Sequence, residues 1–261
     1  MTYDKITLAK DQGLATLTLN VPEKLNAVSR KMIAEIKDCW EKLAQDPSVR
    51  AVLLTGAGRG FCAGADLADP DRESVGGDSG SALDKFFNPV IRLMRGLPKP
   101  IVAAVNGPAA GVGMSFALAA DIAVAARSAT FLQAFARIGL LPDGGSTWFL
   151  PRLVGDQRAR ALAMLAPQIS AAQAKDWGLI WDVVEDADLM KTATDIARRL
   201  ADGPTLSLAR IKEAMGRASG NDLSQQLDVE RDFQRELGRS EDFREGVAAF
   251  LGKRKPAFKG K

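Results

Sequence analysis

The chain has 261 residues, of which 46% are hydrophobic and 26% charged, and its net charge is +3. These values are typical of a globular protein with a sizeable core, and the scattered, weakly basic charge does not favour nucleic acid as a partner. The sequence contains no histidine. Its absence excludes histidine-based catalytic triads and histidine metal ligands, so proton transfer must use carboxylates, lysine, cysteine or tyrosine.

Two further features concern location and cofactors. No apolar segment reaches the roughly 18 residues of a membrane span, and the first ten residues lack a signal-peptide pattern. The two cysteines, Cys39 and Cys62, are far apart in sequence and form no zinc or disulfide framework. We therefore expect a cytoplasmic protein with no membrane partner and no metal centre.

The chain begins with two alternating segments, Tyr3–Ala9 and Leu14–Asn20, which predict strands joined by a hairpin turn. Ser29 is a typical helix N-cap, and apolar residues recur at helical spacing from there until Asp46 and Pro47. The segment Val49–Thr55 is rich in branched side chains and predicts a strand buried on both faces.

A turn with four glycines, between Gly56 and Gly64, follows this buried strand. Glycines at such a place let main-chain amides approach a ligand closely. The spacing fits neither a phosphate loop nor a dinucleotide site, which leaves backbone donors for a developing oxyanion. A second strand, Ile101–Val105, leads through another glycine turn into a predicted small-residue helix, Ala110–Ala120. Between the two units, 68–81 predicts a mobile polar loop and 84–97 a helix.

The second half of the chain is mostly helical. Further elements are predicted as strands at Ile122–Ala126 and Ile180–Val184, and as helices at Gln157–Ala166, Ala171–Trp177, Leu189–Ala201, Leu206–Ala218, Leu223–Leu237 and Phe243–Leu251. The pattern alone indicates a mixed α/β fold with buried sheets, followed by a helical layer. We place the boundary between an α/β core, 1–195, and a helical region, 196–261.

Three segments carry a resemblance to a known family. GRGFCAGADL, KPIVAAVNGPAAGVGMSFALAAD and IGLLPDGGSTWFLPRLVG resemble the enoyl-CoA hydratase/isomerase (crotonase) family, and the likeness extends from Leu17 to Lys261. The resemblance implies an α/β fold with a β-β-α spiral core and a C-terminal helical oligomerisation layer. It also implies an acyl-CoA thioester as substrate, and a homotrimer or a dimer of trimers.

The same resemblance implies an oxyanion hole formed by the amides of Ala65 and Val112. Hydratases of the family use two glutamates, and the matching positions here are Ser115 and Phe135. Because neither can replace a carboxylate, the hydratase interpretation is disfavoured. Asp143 coincides with the acid/base aspartate of the isomerase branch. It also lies among apolar residues, where a carboxyl pKa can rise, although Pro-Asp-Gly is common turn chemistry as well.

Further positions match residues that contact substrate in the family. Those implied for binding of the thioester or of CoA are Leu25, Ala63, Asp66, Leu67 and Gly111, with Phe258 and Lys261 approaching the CoA of a neighbouring subunit. For Lys261 a frayed terminus is an equal alternative, and Asp66 is a rival base that we expect to orient its turn. An aromatic acyl pocket is a weaker prediction, because its candidates are also ordinary core residues: Phe86, Phe87, Phe131 and Trp148.

These inferences predict an acyl-CoA isomerase that converts ring-1,2-epoxyphenylacetyl-CoA to the seven-membered oxepin thioester, with Δ3-to-Δ2 enoyl-CoA isomerisation as a related activity. No metal or redox cofactor is expected, since CoA arrives with the substrate. Three alternatives stay open at this point. They are a general enoyl-CoA isomerase or hydratase of fatty-acid oxidation, an aspartate nucleophile displacing halide from an aryl-CoA, and a non-catalytic acyl-CoA-binding subunit.

Overall fold

Two sheets organise the computed structural model, which describes residues 3–73 and 78–261. The strands are β1 (Ile6–Asp11), β2 (Leu14–Leu19), β3 (Ala51–Gly56), β4 (Ile101–Val105), β5 (Ala109–Ala110), β6 (Ile122–Ala126), β7 (Thr130–Leu132), β8 (Gln168–Ser170) and β9 (Asp182–Val184). The larger sheet has the order β1-β2-β3-β4-β6-β9 and is parallel except between β1 and β2. The smaller sheet has the order β5-β7-β8.

Helices surround these sheets. They are α1 (Arg30–Gln45), α2 (Ser79–Ala82), α3 (Asn88–Gly96), α4 (Val112–Ala119), α5 (Ser146–Val154), α6 (Asp156–Leu165), α7 (Ala171–Asp176), α8 (Leu189–Ala201), α9 (Thr205–Ala218), α10 (Leu223–Leu237) and α11 (Glu241–Leu251). A π-helical turn, Leu83–Phe87, joins α2 to α3, and short 3-10 helices lie at Pro22–Lys24, Pro70–Glu73, Ala134–Ile138 and Asp186–Asp188.

The core lies around the central parallel strands. All residues of β3 and β4 are buried, as the continuous apolar runs predict for strands covered on both faces. Helix α8 packs on these strands with three alanines that allow close approach, Ala193, Ala197 and Ala201. Helix α4 is buried along its whole length, because its residues are apolar apart from one serine. The mixed α/β prediction is therefore confirmed.

Most predicted elements coincide with observed ones, and the exceptions have physical reasons. The first strand starts at Ile6 rather than Tyr3 and continues to Asp11, because the turn consists of Gln12 and Gly13 alone, both with positive φ. The short strands β5, β7 and β8 and the helix α5 were not predicted, and the helix predicted from Ala110 begins at Val112, because Ala110 belongs to β5. Strands of two or three residues are too short to show periodicity, and α5 lacks a capping side chain and contains Pro151.

The segment predicted as a polar mobile loop, 68–81, is partly helical. A 3-10 helix occupies Pro70–Glu73, and α2 begins after Asp78, whose carboxylate accepts hydrogen bonds from the amides of Gly80 and Ser81. The loop prediction is therefore wrong for these parts, while 74–77 lies outside the described residues. The sequence concealed α2 because glycine and serine are poor helix formers and the cap alone marks its start.

A buried lysine ties the helical layer to the larger sheet. The Nζ of Lys212 on α9 donates to the carbonyl oxygens of Met94 (2.8 Å) and Lys99 (3.2 Å) and lies 2.9 Å from Oδ2 of Asp121. Asp121 also accepts from the amide of Ile101, the first residue of β4. Burial lowers the pKa of Lys212, and the Asp121 carboxylate acts against this shift. The predicted boundary between 195 and 196 falls inside α8 and stays a prediction.

We expect Lys212→Ala to lower the free energy of unfolding by ~2 kcal/mol, because two carbonyl oxygens lose a buried donor and Asp121 keeps Arg95 as its charged partner at 3.5 Å. Urea unfolding followed by circular dichroism measures this loss. Lys191→Ala is the matched control, since Lys191 is 78% exposed in its pair with Asp195 and should cost less than ~1 kcal/mol. Equal losses for the two variants would contradict the anchoring role of Lys212.

Candidate active site

The two glycine turns contact each other through their main chains. The amide of Ala110 donates to the carbonyl oxygen of Cys62 (2.9 Å), and Cys62 and Ala109 form an isolated parallel bridge. Gly113 lies so close that a Cβ there would be 2.2 Å from the Cys62 carbonyl oxygen. A side chain at position 113 would therefore push the turns apart, and the contact fixes the first turn against the start of α4.

This contact brings the amides of Ala65 and Val112 into the same region. The amide of Val28 donates to Gly64 (2.7 Å) and that of Asp66 to Val28 (3.0 Å), so the intervening Ala65 N–H points away from Val28. Val112 is the first residue of α4, where an amide has no partner within its helix. Neither amide has a hydrogen-bond partner within residues 3–73 and 78–261. Both are therefore available to an external oxygen.

Two asparagines hold the first turn in shape. Nδ2 of the fully buried Asn26 donates to the carbonyl oxygen of Gly60 (2.8 Å), and its Oδ1 accepts from Val21 N (2.8 Å). Nδ2 of Asn106 donates to Gly58 O (2.9 Å), and its Oδ1 accepts from Gly56 N. Sequence reasoning missed both as supports of the turn, because their partners within the turn are more than 30 residues away. The available signal was Asn106, which directly precedes Gly107 of the second glycine turn.

An open cavity of about 640 Å³ lies beside the first turn. Its walls are mainly apolar, and the lining includes Val28, Ala65, Leu67, Leu83, Phe87, Ile138, Leu140, Leu141 and Pro142. Its charged lining residues are Arg30, Asp66, Asp69 and Asp143. An apolar hollow with a few convergent polar groups is the usual form of a site for a small organic ligand.

The Asp143 side chain reaches this cavity from the loop between the 3-10 helix 134–138 and α5. Its Oδ1 is buried and, within the described chain, has no hydrogen-bond partner. The turn is instead closed by its main chain, since the carbonyl oxygen of Asp143 accepts from Ser146 N (3.0 Å). The interpretation as an ordinary turn aspartate, in which the carboxylate would hold the turn, is therefore disfavoured.

Burial raises the pKa of Asp143 from its ordinary 3.8 to about 6. The cause is desolvation, which disfavours the charged form of a carboxyl group. Asp66 has the opposite environment: its carboxylate lies 2.7 Å from Lys24 Nζ and accepts from Ala68 N, and Lys24 lowers its pKa. Of these two carboxyl groups, Asp143 is the one suited to exchange protons near neutral pH, and Asp66 is suited to orient its turn.

The other predicted residues are distributed around this cavity and beyond it. Ala65, Asp66, Leu67 and Asp143 line the cavity. Leu25 and Ala63 do not line it but support the first turn, where Ala63 N donates to Leu25 O (2.9 Å). Gly111 precedes Val112 as the N-cap of α4.

The positions that match the hydratase glutamates hold buried groups. Ser115 on α4 is fully buried beneath the Asp143 loop, and Phe135 packs its ring towards Gly111. Among the predicted pocket aromatics, only Phe87 lines the cavity. Phe131 lies in the core, and Phe86 lies under the Arg30 guanidinium. The prediction of an aromatic pocket is therefore wrong for Phe86, Phe131 and Trp148. Sequence alone cannot show which aromatic side chains face the cavity.

The C-terminal segment lies away from the cavity. The buried Asp242 carboxylate accepts from the amides of Lys259 (2.6 Å) and Gly260 (2.8 Å), and Asp242 N donates to Lys261 O. Phe258 lines a separate groove beside α11. The tail is thus anchored rather than frayed, whereas the contact of Phe258 and Lys261 with the CoA of a neighbouring subunit stays a prediction.

Comparison with known proteins gives consistent results. The family model for enoyl-CoA hydratase/isomerase matches residues 9–261. The chain is 51% identical to 1,2-epoxyphenylacetyl-CoA isomerase of Escherichia coli strain K12, over 96% of this chain and 97% of that protein. It is 34% identical to crotonyl-CoA hydratase of Syntrophomonas wolfei over 99% of both chains.

The fold is similar to that of solved structures of the same kind. The crystal structure of enoyl-CoA hydratase from Bacillus anthracis superposes with a TM-score of 0.92 at 31% identity, covering 99% of this chain and 100% of that one. The predicted crotonase-like fold is therefore confirmed. A search of the described residues for a helix long and apolar enough to cross a bilayer finds none.

The raised pKa of Asp143 predicts a pH-dependent cost in stability. A carboxyl group whose folded pKa exceeds its unfolded value stabilises the fold at low pH, and this contribution is lost as the pH rises through about 6. Because one pKa unit corresponds to about 1.4 kcal/mol, Asp143→Asn should raise the free energy of unfolding by at most ~3 kcal/mol at pH 8 and by clearly less at pH 4.5.

Urea unfolding of wild type and variant at both pH values tests this. Asp156→Asn is the matched control, because Asp156 lies exposed on α6 beside Arg160. A gain for Asp143→Asn that is equal at the two pH values would contradict the burial of a charged carboxylate.

Proposed function

We propose that this chain, which belongs to the enoyl-CoA hydratase/isomerase family, is an isomerase of acyl-CoA thioesters. Its proposed reaction converts ring-1,2-epoxyphenylacetyl-CoA to the oxepin thioester. The observation that carries the proposal is the Asp143 carboxyl group in the cavity lining, with a pKa raised by burial to about 6 and no carboxylate at positions 115 and 135. The 51% identity to the isomerase named above supports the choice of substrate.

The proposed chemistry begins at the thioester carbonyl. The amides of Ala65 and Val112 would donate to its oxygen, and that bond strengthens as negative charge develops in the enolate. Preorganised donors of this kind typically contribute ~2.7–4 kcal/mol each to transition-state stabilisation. Because the amides are held by main-chain contacts between the two turns, they need no rearrangement when the charge appears.

Asp143 would act as both base and acid. Its carboxylate removes a proton from the carbon beside the thioester, and the resulting carboxylic acid returns that proton to a ring carbon. The carbon–carbon bond shared by the epoxide and the six-membered ring breaks, and its electron pair becomes a double bond of the product. Both C–O bonds remain, which gives the seven-membered ether, and atoms and charge balance within one molecule. A pKa of about 6 suits both steps, because the group is ionised at neutral pH and its carboxylate is a stronger base than that of an exposed aspartate. The steps require no metal ion or redox cofactor.

A Δ3-to-Δ2 shift in an enoyl-CoA uses the same two donors and the same proton transfer, so we propose it as a second activity. The mainly apolar cavity, open to solvent, would accept an alkenyl chain as well as a ring. Hydration differs, since in the family it uses two carboxylates to activate water. The buried Ser115 and Phe135 therefore make this chain a poor hydratase in our proposal.

We expect Asp143→Asn to lower isomerase turnover by about 10²–10⁴-fold, because general acid–base catalysis is typically worth that much. Mass spectrometry and ultraviolet absorbance follow the epoxide thioester and a 3-enoyl-CoA, and deuterium uptake from solvent reports proton transfer. Acyl-CoA affinity should survive in the variant, since the amide donors are unchanged. Asp156→Asn, at an exposed position that does not line the cavity, is the matched control.

Two outcomes would overturn the proposal. If Asp143→Asn turns over substrate at the wild-type rate, Asp143 has no role in catalysis. Tight binding of thioesters by the wild type without turnover or deuterium exchange favours a non-catalytic subunit. Crotonyl-CoA serves in the same assay as a hydration substrate, and turnover typical of a hydratase would contradict the single-carboxylate mechanism.

We also propose that the chain forms a homotrimer or a dimer of trimers, as the family resemblance implies. Helices α9, α10 and α11 expose large apolar side chains: Ile211, Met215, Leu223, Leu227, Phe243, Val247, Phe250 and Leu251. A mainly apolar groove of about 510 Å³ lies among them. Contiguous apolar surface of this kind is rare on monomers and commonly marks an interface.

Light scattering tests this proposal against the chain mass of 27.9 kDa. We expect a mass of three or six chains, and Phe250→Lys should reduce it because Phe250 is 83% exposed in a single chain. Lys191→Ala is a control on an exposed polar position. A stable monomer at micromolar concentration would contradict the proposal.

A further inference from the structure

A buried chain of hydrogen bonds lies directly under the loop that carries Asp143. Nε2 of Gln133 donates to Oγ of Ser146 (3.0 Å), and Ser146 Oγ lies 2.8 Å from Oγ of Ser115. Ser115 Oγ in turn lies 3.0 Å from the carbonyl oxygen of Asp143 and 3.3 Å from that of Gly111. Gln133, Ser146 and Ser115 are all fully buried. The chemistry described so far uses none of these three side chains.

The donors and acceptors give this chain a direction. Ser146 Oγ accepts from Gln133, so its own single proton is available for Ser115 Oγ. Ser115 then keeps its one proton for a carbonyl oxygen, and the Asp143 oxygen is the nearer of the two acceptors. Hydrogen bonds that run head to tail in a buried site strengthen one another. The direction thus ends on the main chain of the residue whose carboxyl group faces the cavity.

Steric contact reinforces the same link. Gly144, which follows Asp143, has φ +58°, and a Cβ there would lie 2.7 Å from Ser115 Cβ and 3.4 Å from Val112 Cγ2. The loop therefore rests on α4 without an intervening side chain. Because α4 begins with Val112 and is preceded by Gly111, one serine touches both the loop that carries Asp143 and the turn that carries an amide donor.

We propose that Ser115 is a positioning residue that fixes the Asp143 carboxyl group relative to the Val112 amide, with Ser146 and Gln133 holding its hydroxyl in the donating orientation. The catalytic part of this inference rests on the proposed function. The hydrogen bond between Ser115 and the Asp143 carbonyl oxygen is a property of the folded chain. Misplacement of a reacting group by about 1 Å can cost about 10²-fold in rate. Loss of the Ser115 hydroxyl would release the loop at Asp143, whose position the proposed proton transfer depends on.

Removal of the Ser115 hydroxyl should also change the surroundings of Asp143. The charged residues that share the cavity lining with Asp143 are Arg30, Asp66 and Asp69. The cause of the raised pKa of Asp143 is nevertheless burial. A loop that moves off α4 admits water to the carboxyl group, so the pKa falls towards the ordinary 3.8. A serine that only filled space would leave this pKa unchanged when replaced by alanine.

The test combines a titration that needs no substrate with kinetics. Protein labelled with carboxyl ¹³C-aspartate is titrated by NMR, and the Asp143 signal is identified by its loss in Asp143→Asn. We expect the Asp143 midpoint near 6 in wild type to fall by about one unit or more in Ser115→Ala. In the isomerase assay kcat should fall by about 10- to 100-fold with KM nearly unchanged, and the acid limb of the pH profile should shift with the midpoint.

Ser170→Ala is the matched control, because Ser170 caps α7 through Gln173 and does not line the cavity. It removes a hydroxyl hydrogen bond at a cost of ~1 kcal/mol in stability and should leave the midpoint and kcat unchanged. Ser146→Ala gives a second, milder variant if Ser115→Ala folds poorly, since it removes the donor to Ser115 but not the contact with Asp143. It should shift the midpoint in the same direction by a smaller amount.

An unchanged Asp143 midpoint in both Ser115→Ala and Ser146→Ala overturns the positioning role. Failure of the wild type to isomerise any thioester overturns the proposed function instead, while the titration still decides whether Ser115 controls the carboxyl group. A fall in kcat equal for Ser115→Ala and Ser170→Ala would attribute the loss to general destabilisation and would also overturn the inference.

Discussion

The hydrogen bond from Ala110 to the Cys62 carbonyl oxygen is the contact on which the candidate site depends. It joins two turns that leave neighbouring parallel strands, β3 and β4, at the same edge of the sheet. Parallel strands bring their carboxyl ends together, so the glycine turn after each lies against the other. The main chain of both turns is thus positioned by the sheet, with the buried side chain of Asn26 and that of Asn106 supporting the first turn.

Stability and chemistry oppose each other at Asp143. An ionised carboxyl group in an apolar cavity weakens the fold, and hydrogen bonds to its Oδ1 would relieve that cost. Such bonds would also stabilise the carboxylate and lower its pKa, which would make it a weaker base for a carbon acid. The structure instead satisfies the main chain of the loop, through Ser146 N and Ser115 Oγ, and leaves Oδ1 of Asp143 without a partner in the described chain.

Sequence reasoning predicted the strands, turns and carboxyl group of the candidate site, but not the polar side chains that hold them in place. The buried strand before Gly56, the two glycine turns and the apolar surroundings of Asp143 all follow from local patterns, and the structure places them together. The roles of Asn26 and Asn106 could not be predicted, because each depends on partners brought near by the fold. The same holds for Ser115, which looked like the loss of a carboxylate and is a donor in a buried network.

That network explains why a glutamate at position 115 is incompatible with the observed position of the Asp143 loop. A glutamate there would direct acceptor oxygens towards the carbonyl oxygens of Asp143 and Gly111, where Ser115 now supplies a donor. It would also need the space that Gly144 occupies, since the loop rests directly on the serine. A carboxylate on α4 therefore requires a different path for the loop and removes Asp143 from its present place.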